Sequence, residues 1–187
     1  MSADAELLAR HCQGDSAAFA ELVERFRRPV YGYLVRCGVD ESLRDDLFQE
    51  VFAAVHRAAA SYSAERPIQP WLFTIVANLV RSHYRKARVR EVVLLPTDLP
   101  YDGAAPDSHQ LAEARETAAW LEKAIAALPF AQREVVALCC VEQLPQEDVA
   151  ELLELPVNTV KTHLRRARMA LAQALARRQA VLRREVS

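Results

Sequence analysis

Residues 145–168 read PQEDVAELLELPVNTVKTHLRRAR, and this stretch predicts two helices joined by a tight turn around residues 154–158. Apolar residues of the second helix recur at intervals of three and four, so one stripe of that helix faces inward. The stripe consists of Val160, Leu164, Ala167, Leu171 and Leu175. A short helix, a tight turn and a longer amphipathic helix together predict a helix-turn-helix.

The opposite face of the second helix is polar and basic. With successive residues about 100° apart, this face carries Asn158, Lys161, Thr162, Arg165 and Met169. A helix that is buried on one side and basic on the other fits the major groove of DNA. The alternative is an ordinary helical hairpin whose basic face is merely solvated.

The composition favours helices. Of the 187 residues 51% are hydrophobic and only 4 are Gly, which is enough apolar material for one or two small helical cores. No apolar run approaches the ~20 residues of a membrane helix, and the N-terminus does not resemble a signal peptide, so we expect a soluble cytoplasmic protein. The four cysteines lack metal-ligand spacing, and we expect buried, reduced thiols and no metal or cofactor.

Charge is segregated along the chain. Residues 61–90 carry 6 basic and 1 acidic side chains, and residues 161–187 carry 8 basic and 1 acidic. Residues 91–160, which separate them, carry 3 basic and 13 acidic side chains. The net charge of −1 therefore hides two basic segments. This pattern predicts two nucleic-acid contacts on a chain without general affinity for polyanions.

The N-terminal 60 residues predict three helices. Ser16 is expected to cap the second helix, and Pro29 is expected to kink or end it. The third helix, about 41–60, carries an acidic and amide patch opposite its apolar stripe. The patch consists of Asp45, Asp46, Gln49 and Glu50. It is either a solvated helix surface or a docking site for another protein.

Residues 61–70 are predicted to form a loop because Pro67 and Pro70 argue against a helix through it. The following helix is expected to bury Leu72, Ile75, Val76 and Leu79. Trp71 and Asn78 lie beside that face, near Arg81 and Arg85. Aromatic rings that stack on bases, an amide that reads a base edge and Arg side chains that hold phosphates suit single-stranded DNA. The alternative for Trp71 is a place in the core.

Three Pro and one Gly mark residues 91–110 as a linker. Helical periodicity resumes at residue 111 and stops at Pro129, and a second helix is expected over 132–141 before the helix-turn-helix. The predicted inner stripe of the first of these helices is Leu111, Ala114, Ala118, Leu121, Ile125 and Leu128. We therefore predict an all-α chain of two small helical domains, at 1–90 and 111–187.

These segments resemble, in order and spacing, the extracytoplasmic-function (ECF, group IV) RNA polymerase sigma factors of the sigma-70 family. GDSAAFAELVERF (14–26) looks like their opening segment, and RDDLFQEVFAAVHR (44–57) looks like their core-polymerase-binding helix. RPIQPWLFTIVANLVRSHYRK (66–86) looks like the segment that reads the −10 element. LPFAQREVVAL (128–138), followed by the helix-turn-helix, looks like the domain that reads the −35 element.

The resemblance implies a sigma-2-like bundle at 1–90 and a sigma-4-like domain at 111–187. It implies an alternative sigma factor that directs promoter-specific transcription initiation. The residues implied to bind core polymerase are Asp45, Asp46, Gln49 and Glu50. Those implied to bind the −10 strand are Tyr62, Trp71, Asn78, Arg81, Arg85 and Lys86. Those implied to bind the −35 duplex are Asn158, Thr159, Lys161, Thr162, Arg165 and Arg166.

The implied partners are promoter DNA, the clamp helices of the largest polymerase subunit, the polymerase flap, and an anti-sigma factor, which in this class is often membrane-bound. No catalytic residue is implied, because capture of a flipped base offsets the cost of unpairing. The chain departs from the common pattern at Pro145, where a capping Ser is usual, and at Glu154, where Gly is frequent.

Two other functions compete with this interpretation. A stand-alone helix-turn-helix regulator of duplex DNA would explain residues 145–168, but not the basic run 81–90 or the acidic and amide patch. An enzyme is disfavoured, because the sequence contains no HExxH, Gly-rich phosphate loop, GxSxG or paired Cys ligands.

Overall fold

The computed structural model describes residues 2–63, 65–88 and 108–185, and every regular element in these ranges is helical, as predicted. The helices are α1 (Ala3–Cys12), α2 (Ser16–Cys37), α3 (Glu41–Ala58), α4 (Ile68–Arg88), α5 (Ser108–Ala126), α6 (Phe130–Val136), α7 (Gln146–Leu153) and α8 (Val157–Glu185). A 3-10 turn, Ala59–Ser61, follows α3, and a π-helical turn, Ala137–Val141, extends α6. Residues 91–107 of the predicted linker lie outside the described residues, and its last three residues already belong to α5.

Helices α1 to α4 form an N-terminal bundle. The residue that caps α2 is Asp15 and not Ser16, as was predicted. The Asp15 carboxylate accepts a 3.1 Å hydrogen bond from the amide of Ala18. Pro29 does not interrupt α2. A proline inside a helix costs about 3 kcal/mol. Burial of Val30, Tyr33 and other apolar side chains around it offsets that cost.

The loop before α4 is shorter than predicted, because α4 begins at Ile68 and includes Pro70 in its first turn. Proline is tolerated there, since the amides of the first turn have no partner within the helix. The buried face of α4 also differs from the predicted one, and Ile75 and Leu79 are only half-buried. The buried residues are Ile68, Leu72, Phe73, Val76, Ala77 and Val80. The face is rotated because α4 packs against α2 and α3 and also against α7.

Helices α5 to α8 form the C-terminal unit, with α7 and α8 as the predicted helix-turn-helix. Val160, Leu164 and Ala167 are buried as expected, but Leu175 is 42% exposed. The 29 residues of α8 span about 44 Å, and the helix runs past the elements that cover its start. Leu121 is also 42% exposed, whereas Ile125, one turn later on α5, is buried.

Candidate nucleic-acid and protein interfaces

The turn between α7 and α8 is held by backbone groups. At the start of α7, Pro145 makes no side-chain cap, and its carbonyl accepts a 3.0 Å hydrogen bond from the amide of Val149. At the other end, Glu154 adopts left-handed backbone with φ of 54°. The amide of Leu155 then reaches the carbonyl of Ala150 at 2.9 Å and closes the helix end. This closure sets the direction in which α8 leaves the turn.

The outer face of α8 is open to solvent. Asn158, Lys161, Arg165 and Arg166 are exposed, and Thr159 and Thr162 are half-buried. The hydroxyl of Thr162 donates a 2.8 Å hydrogen bond to the carbonyl of Asn158, so this donor is used within the helix. A shallow groove of about 420 Å³ runs along this face. It is lined by Gln146, Lys161, Leu164, Arg165, Arg168, Met169 and Ala172.

The acidic and amide patch lies on the side of α3 that faces away from the core. Asp45, Asp46, Gln49 and Glu50 are all exposed. Between them, Leu47 and Val51 are buried against the other helices. The patch is therefore a solvent-accessible surface on a rigid helix, which either of its two predicted roles allows.

An aromatic cavity of about 500 Å³ lies where the loop meets α4. The rings of Tyr62 and Trp71 are 5.0 Å apart along its wall, and both also touch the core. The hydroxyl of Tyr62 donates a hydrogen bond to the carbonyl of Arg66, which holds the loop against the ring. Burial raises the pKa of Tyr62. Trp71 thus packs on the core, as one of its two predicted alternatives required, and also lines this cavity, while its stacking on a base stays a prediction.

The opposite wall of the aromatic cavity belongs to the C-terminal unit. Asp148, Glu151 and Leu152 of α7 face the two rings across it. At the rim, Arg66 donates a 2.7 Å hydrogen bond to the carboxylate of Glu151. The cavity is therefore shared between the two helical units.

Arg81 does not present a free guanidinium. Its Nε and Nη2 donate to the two carboxylate oxygens of Glu134 at 2.9 and 3.2 Å. Its Nη1 donates to the carbonyl of Leu153 at 2.7 Å. Glu134 is 1% exposed, and burial raises the pKa of its carboxyl although Arg81 opposes that shift. The predicted phosphate-holding residue is thus engaged by protein groups in this structure.

Asn78 and Arg85 lie further along α4 and are both exposed. They line a second cavity of about 480 Å³ together with Arg81 and Tyr84. Phe130 and Glu154 of the C-terminal unit complete its wall. Lys86 is exposed next to Arg85. These residues of α4 therefore lie near one another, with Phe130 and Glu154 of the C-terminal unit beside them, and their contact with single-stranded DNA stays a prediction.

The sequence analysis did not anticipate the residues that join the two units. Glu134, Glu151 and Phe130 take part in this contact, and the acidic excess of residues 91–160 was a signal for the two carboxylates only. That excess does not show which carboxylate meets which cation. The contact could not be found from periodicity, because its partners are far apart in the chain.

The thiols differ from expectation. Cys37 is buried, which raises the pKa of its thiol, but Cys12 and Cys140 are exposed and Cys139 is half-buried. Within the described ranges, no group of three or more His, Cys, Asp or Glu side chains is arranged to hold a metal ion. Over the same residues, no helix combines the length and apolarity needed to cross a bilayer.

Two family profiles match the two helical units. Residues 22–90 match Sigma-70 region 2, and residues 118–171 match Sigma-70, region 4. The chain is 31% identical over 172 residues to the ECF RNA polymerase sigma factor SigM of Mycobacterium tuberculosis, covering 92% of this chain and 84% of that protein. It is 34% identical over 161 residues to the ECF RNA polymerase sigma factor RpoE of Cereibacter sphaeroides, covering 85% of this chain and 87% of that protein.

A solved structure of CnrH in complex with the cytosolic domain of CnrY has the same fold. The TM-score is 0.66 and the identity 28%, and the match covers 94% of this chain and 98% of that chain. CnrH of Cupriavidus metallidurans is described as an RNA polymerase sigma factor. The structural match spans both helical units.

Proposed function

This chain belongs to the ECF RNA polymerase sigma factors of the sigma-70 family, and we propose that it is a group IV member whose two helical units read the −10 and −35 elements separately. As an alternative sigma factor, it binds core RNA polymerase and promoter DNA and directs promoter-specific transcription initiation. In this proposal the two domains are residues 1–90 and 111–187, joined by a linker at 91–110. Each task belongs to a separate surface of these domains.

The −35 assignment rests on one observation above all. The outer face of α8 exposes Lys161, Arg165 and Arg166 directly after a helix-turn-helix whose inner stripe is buried. A helix presented in this way can enter a major groove, where Arg and Lys contact guanine edges and phosphates. Asn158, Thr159 and Thr162 complete this surface at the N-terminal end of the helix.

The −10 assignment rests on α4 and the loop before it. We propose that the cavity of Tyr62 and Trp71 takes a base that has left the duplex and that Asn78 reads a base edge. Arg81, Arg85 and Lys86 then hold phosphates of the same strand. Stacking of a base on an aromatic ring contributes about 1–3 kcal/mol, which offsets unpairing without any catalytic group.

The remaining surfaces are assigned to proteins. Asp45, Asp46, Gln49 and Glu50 of α3 would bind the clamp helices of the largest polymerase subunit, and the C-terminal unit would bind the flap. We also propose an anti-sigma factor as a partner of this chain, either cytosolic or anchored in the membrane. The complex of CnrH with a cytosolic domain supports this, and it supports a cytoplasmic location for the chain.

In vitro transcription over a library of promoter sequences tests the proposal. Purified chain and core polymerase should together produce transcripts that begin downstream of shared −10 and −35 sequences, and neither should do so alone. A stand-alone regulator would instead bind duplex DNA with nanomolar affinity without polymerase and change transcription by another holoenzyme. That second result would contradict the proposed function.

A further inference from the structure

We propose that Met169 of α8 contacts the C5-methyl group of a thymine in the −35 duplex and thereby selects thymine at that position. The inference rests on the proposed function of α8 and deepens it, because it assigns a base preference to a residue outside the predicted DNA contacts. Three observations carry it: the exposure of Met169, the groove in which it lies and the charges along that groove.

Met169 is the most exposed large hydrophobic side chain in the described part of the chain. Its exposed fraction is 55%, against 42% for Leu121 and Leu175. A side chain that is open to this degree contributes little to the core, so packing within the protein does not account for an apolar residue here. Met is flexible and polarizable, which suits contact with an apolar group of a partner.

The groove of about 420 Å³ on the outer face of α8 places Met169 in a short apolar strip. Leu164 and Ala172 belong to the same strip, on either side of Met169 along the helix. Leu164 is buried and joins the strip to the core, whereas Met169 and Ala172 are exposed. From Lys161 to Ala172 the groove follows about 17 Å of helix. It therefore offers a small apolar contact within a polar surface.

Cations flank the apolar strip. Lys161, Arg165 and Arg168 line the groove, and the described residues around it include no acid. Within the described ranges these three cations form no ion pair, in contrast to Arg81. The groove therefore suits an occupant that is anionic at its edges and carries a small apolar group.

The major groove of DNA has both properties. Phosphates line its edges, and thymine is the base that presents a methyl group there, whereas the other bases present only hydrogen-bonding groups. Met169 follows Arg165 by four residues, or about 6 Å along the helix axis. This distance corresponds to about two base pairs at a rise of about 3.4 Å each. The thymine should therefore lie within about two base pairs of the position that Arg165 contacts.

An acidic amphipathic peptide of a protein partner is the competing occupant of the groove. DNA is favoured because two of the lining residues, Lys161 and Arg165, are also proposed −35 contacts. Met169 lies on the same face of α8 as these two residues, so the apolar strip continues the proposed DNA surface.

Binding of the holoenzyme to duplexes that differ by one methyl group tests the inference. The full-length chain is bound to core polymerase, and its affinity for fluorescent promoter duplexes is measured by anisotropy. Each base pair of the −35 element is replaced in turn by T·A and by U·A, in both orientations, since uracil lacks only the methyl group of thymine. At one position or two adjacent positions, wild type should bind T·A about fourfold more tightly than U·A, as expected for burial of one methyl group.

Met169→Gln should remove this preference. Gln has about the length of Met but a polar end, and the exposure of position 169 keeps the core intact. The variant should bind T·A and U·A equally, with the affinity that wild type has for U·A. At the same position, replacement of cytosine by 5-methylcytosine should tighten binding of wild type and leave that of Met169→Gln unchanged.

Leu175→Gln is the matched control. Leu175 is another exposed apolar residue of α8, and it does not line the groove. This variant should keep the full preference of wild type for T·A over U·A. Loss of the preference in Leu175→Gln as well as in Met169→Gln would overturn the inference, because the effect would then belong to the helix and not to the groove.

Other results separate this inference from the proposed function. Equal affinity of wild type for T·A and U·A at every −35 position would overturn the thymine contact, as would an undiminished preference in Met169→Gln. Weaker binding of Met169→Gln to core polymerase, with the preference intact, would assign the groove to a protein partner. If the double Glu variant of Lys161 and Arg165 binds the −35 duplex as wild type does, the −35 assignment fails together with the inference.

Discussion

Arg81 of α4 donates a 2.7 Å hydrogen bond to the backbone carbonyl of Leu153, the last residue of α7. The last carbonyls of a helix have no partner within it, so this bond satisfies one of them from the other helical unit. The next residue, Glu154, is in left-handed backbone. The end of the first helix of the helix-turn-helix therefore combines a bond across the units with a conformation that favours Gly.

Glu154→Gly should stabilise the chain. A side chain in left-handed backbone costs about 1–2 kcal/mol, and Gly avoids this cost. The greater conformational freedom of Gly in the unfolded state offsets part of that gain. We expect a net gain of about 0.5–1 kcal/mol in the free energy of unfolding, measured by urea denaturation. Glu147→Gly, inside α7, should lower it by about 1 kcal/mol. A loss of stability in Glu154→Gly would contradict the assigned strain.

A double substitution of Lys161 and Arg165 by Glu should abolish −35-dependent transcription. Each lost contact costs about 1–3 kcal/mol, so affinity of the holoenzyme for a −35 duplex should fall about a hundredfold or more. The control is Arg177→Glu, an exposed Arg later on the same helix. Unchanged promoter footprints of the double variant would count against the recognition surface.

Gln49→Ala with Glu50→Ala should weaken binding to core polymerase. Truncation of central interface side chains costs more than 1 kcal/mol each, so we expect about a tenfold or greater loss, measured by surface plasmon resonance. Glu41→Ala, an exposed acid at the start of the same helix, is the control. If the control and the double variant lose affinity equally, the patch is only a solvated surface.

The stability of the chain should respond to pH through Glu142. Burial raises the pKa of its carboxyl to about 7 from an ordinary 4.5, against the opposing effects of Arg36 and Gln69. Unfolding restores the ordinary value, so folding takes up a proton between these two pKa values. The folded state is therefore favoured by this group at low pH and loses that contribution as the pH rises to about 7, by at most about tenfold per pH unit.

Urea denaturation at pH 6 and pH 8 checks this dependence. The wild-type chain should have the larger free energy of unfolding at pH 6, and Glu142→Gln should reduce the difference. Burial also raises the pKa of Glu134, which adds to the dependence in the same direction. A wild-type chain that is more stable at pH 8 than at pH 6 would contradict the assigned sign.

Apolar periodicity predicted the buried side chains correctly where a single neighbouring surface covers the helix. The stripe of Val160, Leu164 and Ala167 is buried because α8 packs there against α6 and α7 of its own small domain. The same pattern failed at Leu175, since periodicity does not show where the covering elements end. At Pro29 the predicted helix boundary was wrong for a related reason, because the apolar contacts that keep α2 continuous come from other helices, while the predicted kink stays a prediction.

The candidate site was predictable in part. From residue types and spacing, we predicted that Trp71, Asn78 and the basic side chains would share one helix. In the structure they lie on α4. The pairing of Arg81 with Glu134 was not predictable, because the two residues are 53 positions apart and each is a single charge in an ordinary helix. Tertiary packing alone decides which cation is covered.

The pairing of Arg81 with Glu134 also bears on how the free chain would meet nucleic acid. Proteins with open cationic surfaces bind any duplex through its phosphates and search by sliding along it. In a chain of net charge −1 in which Glu134 holds Arg81, attraction to phosphates depends on exposed side chains such as Lys161 and Arg165 of α8. The first contact of the free chain with a duplex should therefore be made by α8.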